Sequence, residues 1–221
     1  MGATQMNAEF SERAVCDTDA MEWQQSPVEG VWRKRMELSG PAEAGRVTSL
    51  VRFDAGTRFP AHDHPDGEEI LVLDGVFSDE FGDHPKGTFM LNPEGTRHAP
   101  HSEQGCLLFV KLRQYSGAAT VRIDTLSAPW RDTGTPGSKQ LMLFETDAPG
   151  ETISLYRMAP GCEVADHPHP GGEEIFVLEG GLEDQYGRYE AGCWGRSPAG
   201  SHHWAKSESG CLVYAKLGHL S

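Results

Sequence analysis

The sequence predicts an all-β protein built from two tandem sandwiches or small barrels, and three observations predict it. The chain repeats itself. Shifted by 105 residues, Arg46–Arg113 lies over Glu151–Gly218 without a gap, and 27 of the 68 aligned positions are identical. The matches include Gly75/Gly180, Gly82/Gly187, Gly87/Gly192, Pro93/Pro198 and Gly95/Gly200, so the turns repeat as well as the composition. Each copy also carries strand-like runs rich in β-branched and aromatic residues. They are "EILVLDG" and "EIFVLEG", then "GCLLFVKL" and "GCLVYAKL". Finally, glycine and proline turns separate short runs, and no stretch holds a 3.6-residue period over three turns. A long amphipathic helix is therefore not expected.

The elements follow in order. Residues 1–30 are polar, acidic and weakly periodic, and read as an N-terminal arm with Trp23 and Trp32 placed to pack on the first domain. The first domain spans 31–114, a connection 115–140 and the second domain 141–221. The connection carries one strand, "TVRID", and then a turn-rich stretch around Trp130. At the same shift of 105, "KRMEL" (Lys34–Leu38) lies over "KQLML" (Lys139–Leu143), which extends the match upstream.

With 221 residues, the chain can bury a substantial core without disulfide staples. Five cysteines, an odd number with no CxxC pair, argue against a disulfide scaffold and a zinc ribbon. A formal charge of -14 makes nucleic acid a poor partner, because phosphate contacts need clustered Lys and Arg. No run of about twenty apolar residues exists, so no membrane span is expected. The opening residues lack a basic segment followed by an apolar one, so a cytoplasmic protein without a secretory signal is expected.

"AHDHPDGEEILVLDG" (Ala61–Gly75) places two histidines and a glutamate at the head of a strand, and "ADHPHPGGEEIFVLEG" (Ala165–Gly180) does so again. Side chains alternate along a strand, so His62 and His64 point the same way. Glu68 shares their parity across a Pro65-Asp66-Gly67 turn. Ile70 and Val72 continue its face as an apolar wall. A carboxylate at the edge of an apolar interior needs compensation, and a cation supplies it. His98 lies 30 residues past Glu68, beyond the Pro93-Glu94-Gly95 turn, where a hairpin-rich sheet brings the chain back. Three imidazoles and one carboxylate then converge. The second copy supplies His167, His169, Glu173 and His203; the repeat selects His203 over its neighbour His202. Such nitrogen and oxygen donors suit one divalent metal per domain, Zn, Fe, Mn or Ni, with no choice among them.

These residues resemble the cupin superfamily. Its first motif, G-x5-H-x-H-x3-E-x6-G, is met by Gly56, His62, His64, Glu68 and Gly75, and by Gly161, His167, His169, Glu173 and Gly180. Its second, G-x5-P-x-G-x2-H, is met by Gly87, Pro93, Gly95 and His98, and by Gly192, Pro198, Gly200 and His203. The final Asn of that motif is missing in both halves, with Ser102 and Ser207 near its place. The resemblance implies a bicupin of two double-stranded β-helix (jelly-roll) barrels. More narrowly, the chain is similar to the cupin domain of ChrR-type anti-sigma factors. Those proteins pair a metal-binding, commonly zinc-binding, cupin with an N-terminal H-x3-C-x2-C domain. That motif is lacking here, since Cys16 stands alone with no histidine before His62. Direct sigma-factor inhibition is therefore not expected.

Other residues have plainer readings. His101 reads as a surface or pocket-rim residue. Cys106 and Cys211 read as small buried hydrophobes, with oxidation near a metal as the alternative. Cys162 and Cys193 are a conceivable redox pair. Asp79 and Asp184 read as turn caps. Glu69 and Glu174 have the parity to face away from the ligands, towards a basic partner. Two functions stay open: a sensory or regulatory bicupin of oxidative or small-molecule response, and a metal-dependent dioxygenase cleaving a small diketone or hydroxyketone. A small-molecule ligand, and self-association through exposed strand edges, fit either.

Overall fold

The computed structural model describes residues 5–146 and 150–220; the first four residues of the expected arm lie outside them, as does Ser221. Contacts divide the chain into two compact units. One takes in the chain up to Ala8 and Met21–Ala128; the other takes Glu9–Ala20 and the chain from Pro129 onward. Both are built of antiparallel strands. No helix among the described residues is long and apolar enough to cross a membrane.

In the first unit, one sheet runs in the order Gln24–Gln25, Val31–Ser39, Arg46–Phe53, Cys106–Leu112, Glu68–Asp79, Thr88–Asn92, Val121–Asp124. Shorter pairs form the facing layer: His62–Asp63 with Arg97–His98, and Thr57–Arg58 with His101–Ser102. The core lies between, formed by Val31, Phe53, Ile70, Val72, Phe77, Met90, Cys106, Leu108 and Val110. Alternate positions of each strand point inward, as a two-layer sandwich requires. The second unit repeats this order with Arg131–Asp132, Ser138–Glu145, Thr152–Met158, Cys211–Leu217, Glu173–Asp184, Cys193–Ser197 and Ala14–Asp17. These are the two jelly-roll barrels that the cupin resemblance implies.

The long strand Glu68–Asp79 serves both layers. Up to Gly75 it pairs with Cys106–Leu112; beyond, it pairs with Gly82–Pro85. The corner is turned at Gly75, whose φ is +72°, beside a register shift at Leu107/Leu108. A Cβ there would sit 2.1 Å from the carbonyl oxygen of Gly105. Gly180 repeats the corner at φ +70°, with the oxygen of Gly210 2.0 Å from such a Cβ.

Strand pairing corrects one expectation. Val31 pairs with Phe53, and Ser138 with Met158. Phe53 and Met158 are 105 apart, whereas Val31 and Ser138 are 107 apart. Lys34 is therefore equivalent to Leu141, and "KRMEL" does not lie over "KQLML". The connection after this strand is two residues shorter in the second repeat, which gap-free sliding cannot register. The 107-residue offset continues upstream. Ala14–Asp17 lies on Cys193–Ser197 as Val121–Asp124 lies on Thr88–Asn92. Thr18 donates its hydroxyl to the oxygen of Gly192 at 2.7 Å, and Thr125 does the same to Gly87 at 2.7 Å. Arg52 stacks on Trp23 as Arg157 stacks on Trp130. The repeat thus begins near residue 13, and the leading strand of each repeat belongs to the other repeat's barrel.

Candidate metal centres

His62, His64, Glu68 and His98 converge in the first barrel, with one donor atom of each within 4.8 Å of all the others. Local structure explains how. His62 pairs directly with His98 across the short facing layer. Asp66 (φ +58°) and Gly67 (φ +75°) make the turn that returns the chain to the long strand, which starts at Glu68. His64, Glu68 and His98 are buried.

Each imidazole is fixed through Nδ1, and each partner dictates the tautomer. His62 Nδ1 faces the carbonyl oxygen of Pro60 at 3.0 Å, so it donates. His64 Nδ1 lies 2.8 Å from the Thr96 hydroxyl, which spends its own proton on the oxygen of Pro93. His64 must donate as well. His98 Nδ1 donates to the Asp79 carboxylate at 3.2 Å. All three Nε2 atoms are left as bare lone pairs directed at one another. The Nε2 atoms of His64 and His98 are buried and have no hydrogen-bond partner. Such orphaned acceptors are costly in an apolar interior unless a cation sits among them. Nδ1 bound to a carbonyl, hydroxyl or carboxylate with Nε2 free is the arrangement metal-ligating histidines use.

Glu68 Oε2 stands 3.3 Å from His64 Nε2 and 3.6 Å from His98 Nε2. Asn92 donates to that oxygen at 2.8 Å, and Arg122 donates to Asn92 at 2.6 Å. Asp79 is more than a turn cap. It takes His98 with one oxygen, and His84 (3.1 Å) and the Phe81 amide (2.9 Å) with the other. Burial alone would raise its carboxyl, but the bonds from His84 and His98 hold it well below the usual carboxylate range. Thr96, Asn92 and Arg122 escape sequence reading. The signal for Asp79 was present, since Asp184 matches it in the repeat.

The second barrel is similar but differently held. His167, His169 and His203 form a close group; Glu173 is not in that group of three. Its Oε2 still lies 3.5 Å from His169 Nε2 and 3.3 Å from His203 Nε2. His167 Nδ1 faces the oxygen of Ala165 at 2.8 Å, and His203 Nδ1 faces Asp184 at 3.3 Å. Where Thr96 fixes His64, Ser201 leaves its hydroxyl buried and without a partner. Ser197 replaces Asn92 and takes a bond from Arg13 at 3.3 Å; Arg13 also pairs with Asp184 at 3.2 Å and donates to the Tyr189 hydroxyl. Burial drives the Glu173 carboxyl upward.

Burial presses His169 from 6.5 to about 4, with His203 and His167 adding to it. Burial lowers His64 too, more than the Glu68 charge raises it. Between pH 6.5 and 4 the unfolded chain takes up protons that the metal-free fold refuses, so stability falls as pH is lowered through that window. His203 behaves oppositely: the Asp184 bond and the Glu173 charge outweigh burial and raise it. Its contribution is complete below pH 6.5 and fades as pH rises through the folded value. Urea unfolding of metal-free protein should therefore show lower stability at pH 5 than at pH 6.5, and His169→Gln should flatten that acid limb.

The remaining residues fall into place. His101 pairs with Arg58 and Ser78, outside the group. His202 bonds the exposed Asp166 at 3.0 Å. Glu174 is buried and accepts from the Trp194 indole at 2.7 Å, so it does not present itself to a partner. All five cysteines are free thiols, and burial pushes those of Cys106 and Cys193 up to about 11, which keeps them inert.

Beside the first donor group opens a cavity of about 310 Å3. Phe53, Phe59, Phe77, Val51 and Leu108 line its apolar part, and His62, His64, Glu68 and His98 line it as well. Its size is at the lower end for pockets that enclose small organic ligands.

A family model described as the ChrR cupin-like domain matches residues 11–116 and 118–221. Comparison with curated proteins finds no match. Among solved structures, a candidate dioxygenase from Nostoc punctiforme superposes with a TM-score of 0.79 at 16% identity, over 95% of this chain and 84% of that one. Protein YlbA from E. coli gives 0.70 at 14% identity, over 97% and 94%. A deletion mutant of Bacillus subtilis oxalate decarboxylase gives 0.65 at 12% identity, over 99% and 79%. At these identities the structures share a fold with this chain and nothing finer.

Proposed function

Because this chain belongs to the ChrR cupin-like domain family, carrying two copies of the domain in tandem, we propose that its first barrel is a metal-dependent catalytic centre. Its reaction class is oxygenation of a small diketone or hydroxyketone. The observation that carries this reading is the cavity lined by the four-donor group of His62, His64, Glu68 and His98. A purely structural site would be closed around its ligands, whereas catalysis needs open coordination positions and room for a substrate.

A divalent ion held there supplies Lewis-acid polarisation of the substrate's carbonyl oxygens and a template for orienting them. The protein's own groups do the rest. Asp79 and Thr96 lock His98 and His64 in the tautomer that presents Nε2. Asn92, backed by Arg122, fixes the Glu68 carboxylate on the same point. Phe53, Phe59 and Phe77 exclude water from the cavity and give an aliphatic chain a surface to pack on. The other carboxylates lining the cavity, Glu43 and Asp63, are engaged in ion pairs, with Arg33 and Arg35 and with Arg97 respectively.

A sensory barrel would bind the same ligands without turning them over, so turnover separates the two readings. Protein purified without added metal or a His tag, then loaded with Fe(II), should consume oxygen in the presence of pentane-2,4-dione or a related hydroxyketone. Full iron occupancy with no oxygen uptake across that panel would eliminate the oxygenase reading and leave ligand sensing.

A further inference from the structure

The cavity of the first barrel is apolar over most of its wall and cationic on one side. Arg33 and Arg35 stand two residues apart on the strand Val31–Ser39, on the same inward face as Val31. Both line the cavity, and both are tied to one carboxylate. Arg33 donates to Glu43 Oε2 at 2.7 Å, and Arg35 to Glu43 Oε1 at 2.9 Å. Arg35 also holds the carbonyl oxygen of Ala42 at 3.2 Å.

The partners differ in how firmly they are placed. The arginine side chains are 18% and 15% exposed, whereas that of Glu43 is 51% exposed. Glu43 reaches them from the turn 40–45, which leans over the cavity and contributes Ala42, Ala44 and Gly45 to its wall. The cations are therefore built into the barrel, and the carboxylate is supplied from a surface turn. Ion pairs with one solvated partner are weakly held.

Charge around the cavity points the same way. Arg33, Arg35 and Arg113 are balanced by Glu43, Asp63 and Glu68. A divalent ion on the histidines tips that balance to positive, and a ligand carrying its own negative charge restores it. Among the described residues the feature is confined to this barrel. The equivalent residues of the second repeat are Gln140, Met142 and Gly218, and Gln140 instead donates to the hydroxyls of Tyr156 and Ser154.

We propose that Arg33 and Arg35 form a carboxylate-recognition site for the ligand of the first barrel, and that Glu43 occupies it when no ligand is present. The ligand class is then an aliphatic keto acid: a diketone or hydroxyketone at one end, a carboxylate at the other. Two guanidinium forks recognise a carboxylate more selectively than a neutral ketone. This inference rests on the reading of the cavity as a ligand site.

The test uses the full-length, zinc-loaded chain and two probes with the same carbon skeleton, 4,6-dioxoheptanoate and its neutral counterpart heptane-2,4-dione. Calorimetric titration should show the acid binding at least about tenfold more tightly, the scale of a charge-assisted hydrogen-bonded pair. Glu43→Gln, on an exposed turn, should tighten the acid a further severalfold by removing its competitor. The Arg33→Gln/Arg35→Gln double variant should reduce the preference for the acid to near unity while retaining two zinc ions per chain. Equal binding of both probes by the unaltered protein would overturn the carboxylate site and leave the ligand-site reading standing. So would a preference that survives the double variant or is unmoved by Glu43→Gln. Binding of neither probe to fully loaded protein would overturn the ligand-site reading, and this inference with it.

Discussion

Substituting His98 with alanine is expected to empty the first barrel of metal and leave the second loaded, halving the metal per chain. The ring supplies one of four donors, so its loss should weaken the first site by at least about a hundredfold, beyond the 10–100-fold typical of an outer hydrogen-bond partner. The effect should stay local, because His98 acts only within its own barrel. It pairs with His62, donates to Asp79 and faces Glu68. Asp79→Asn provides the graded comparison. It keeps the shape, weakens the hold on the His98 ring, and should cost about ten- to a hundredfold in affinity. Metal analysis after dialysis against a graded chelator reads both variants. Loss of both metals from His98→Ala would mean that the barrels do not hold their ions independently.

Gly75→Ala should be among the most destabilising single substitutions in the molecule, at about 3 kcal/mol or more. Two costs combine. The backbone at Gly75 is left-handed, which penalises any side chain by about 1–2 kcal/mol. The new methyl would also meet the carbonyl oxygen of Gly105 at 2.1 Å, a backbone atom at the entry to the adjacent strand that cannot rotate aside. Relief requires prising the strands apart at the corner that carries the long strand from one layer to the other. Gly95→Ala is the control: its φ is +80° but nothing lies within 4 Å of the added atom, so only the backbone term applies. Urea unfolding should show a much lower midpoint for Gly75→Ala and a modest shift for Gly95→Ala. Equal shifts would assign the whole effect to backbone conformation and none to packing.

The convergence of the candidate ligands was legible because its signals are local and doubled. His62 and His64 share a strand face, Glu68 heads the next strand, and the copies at His167, His169 and Glu173 recur at a fixed shift. Asp79 was visible as a repeated position, but its role depends on which ring nitrogen of His98 faces it, and that is a matter of three-dimensional packing. Asn92 and Arg122 could not be seen. Ser197 replaces Asn92 in the second copy, and Arg122 arrives on the leading strand of the second repeat, which lies on the first barrel. Arg13 reaches the second barrel by the corresponding exchange, but from a position that does not match Arg122. The exchange itself was hidden by the two-residue turn difference, which moves the repeat from 107 to 105 between the leading strands and the motifs. The cavity follows from side-chain volume on six strands, and no spacing rule reports volume.

The central claim is that the first barrel holds an open metal centre of three imidazoles and one carboxylate facing a ligand cavity. X-ray absorption spectroscopy on His203→Ala protein, purified without added metal so that the first barrel carries the bound ion, tests it most directly. The account predicts a shell of three imidazole nitrogens and further oxygens, with no sulfur, and a change in the oxygen shell when a diketone is added. A sulfur-containing shell, fewer than three imidazoles, or a shell indifferent to the diketone would contradict it.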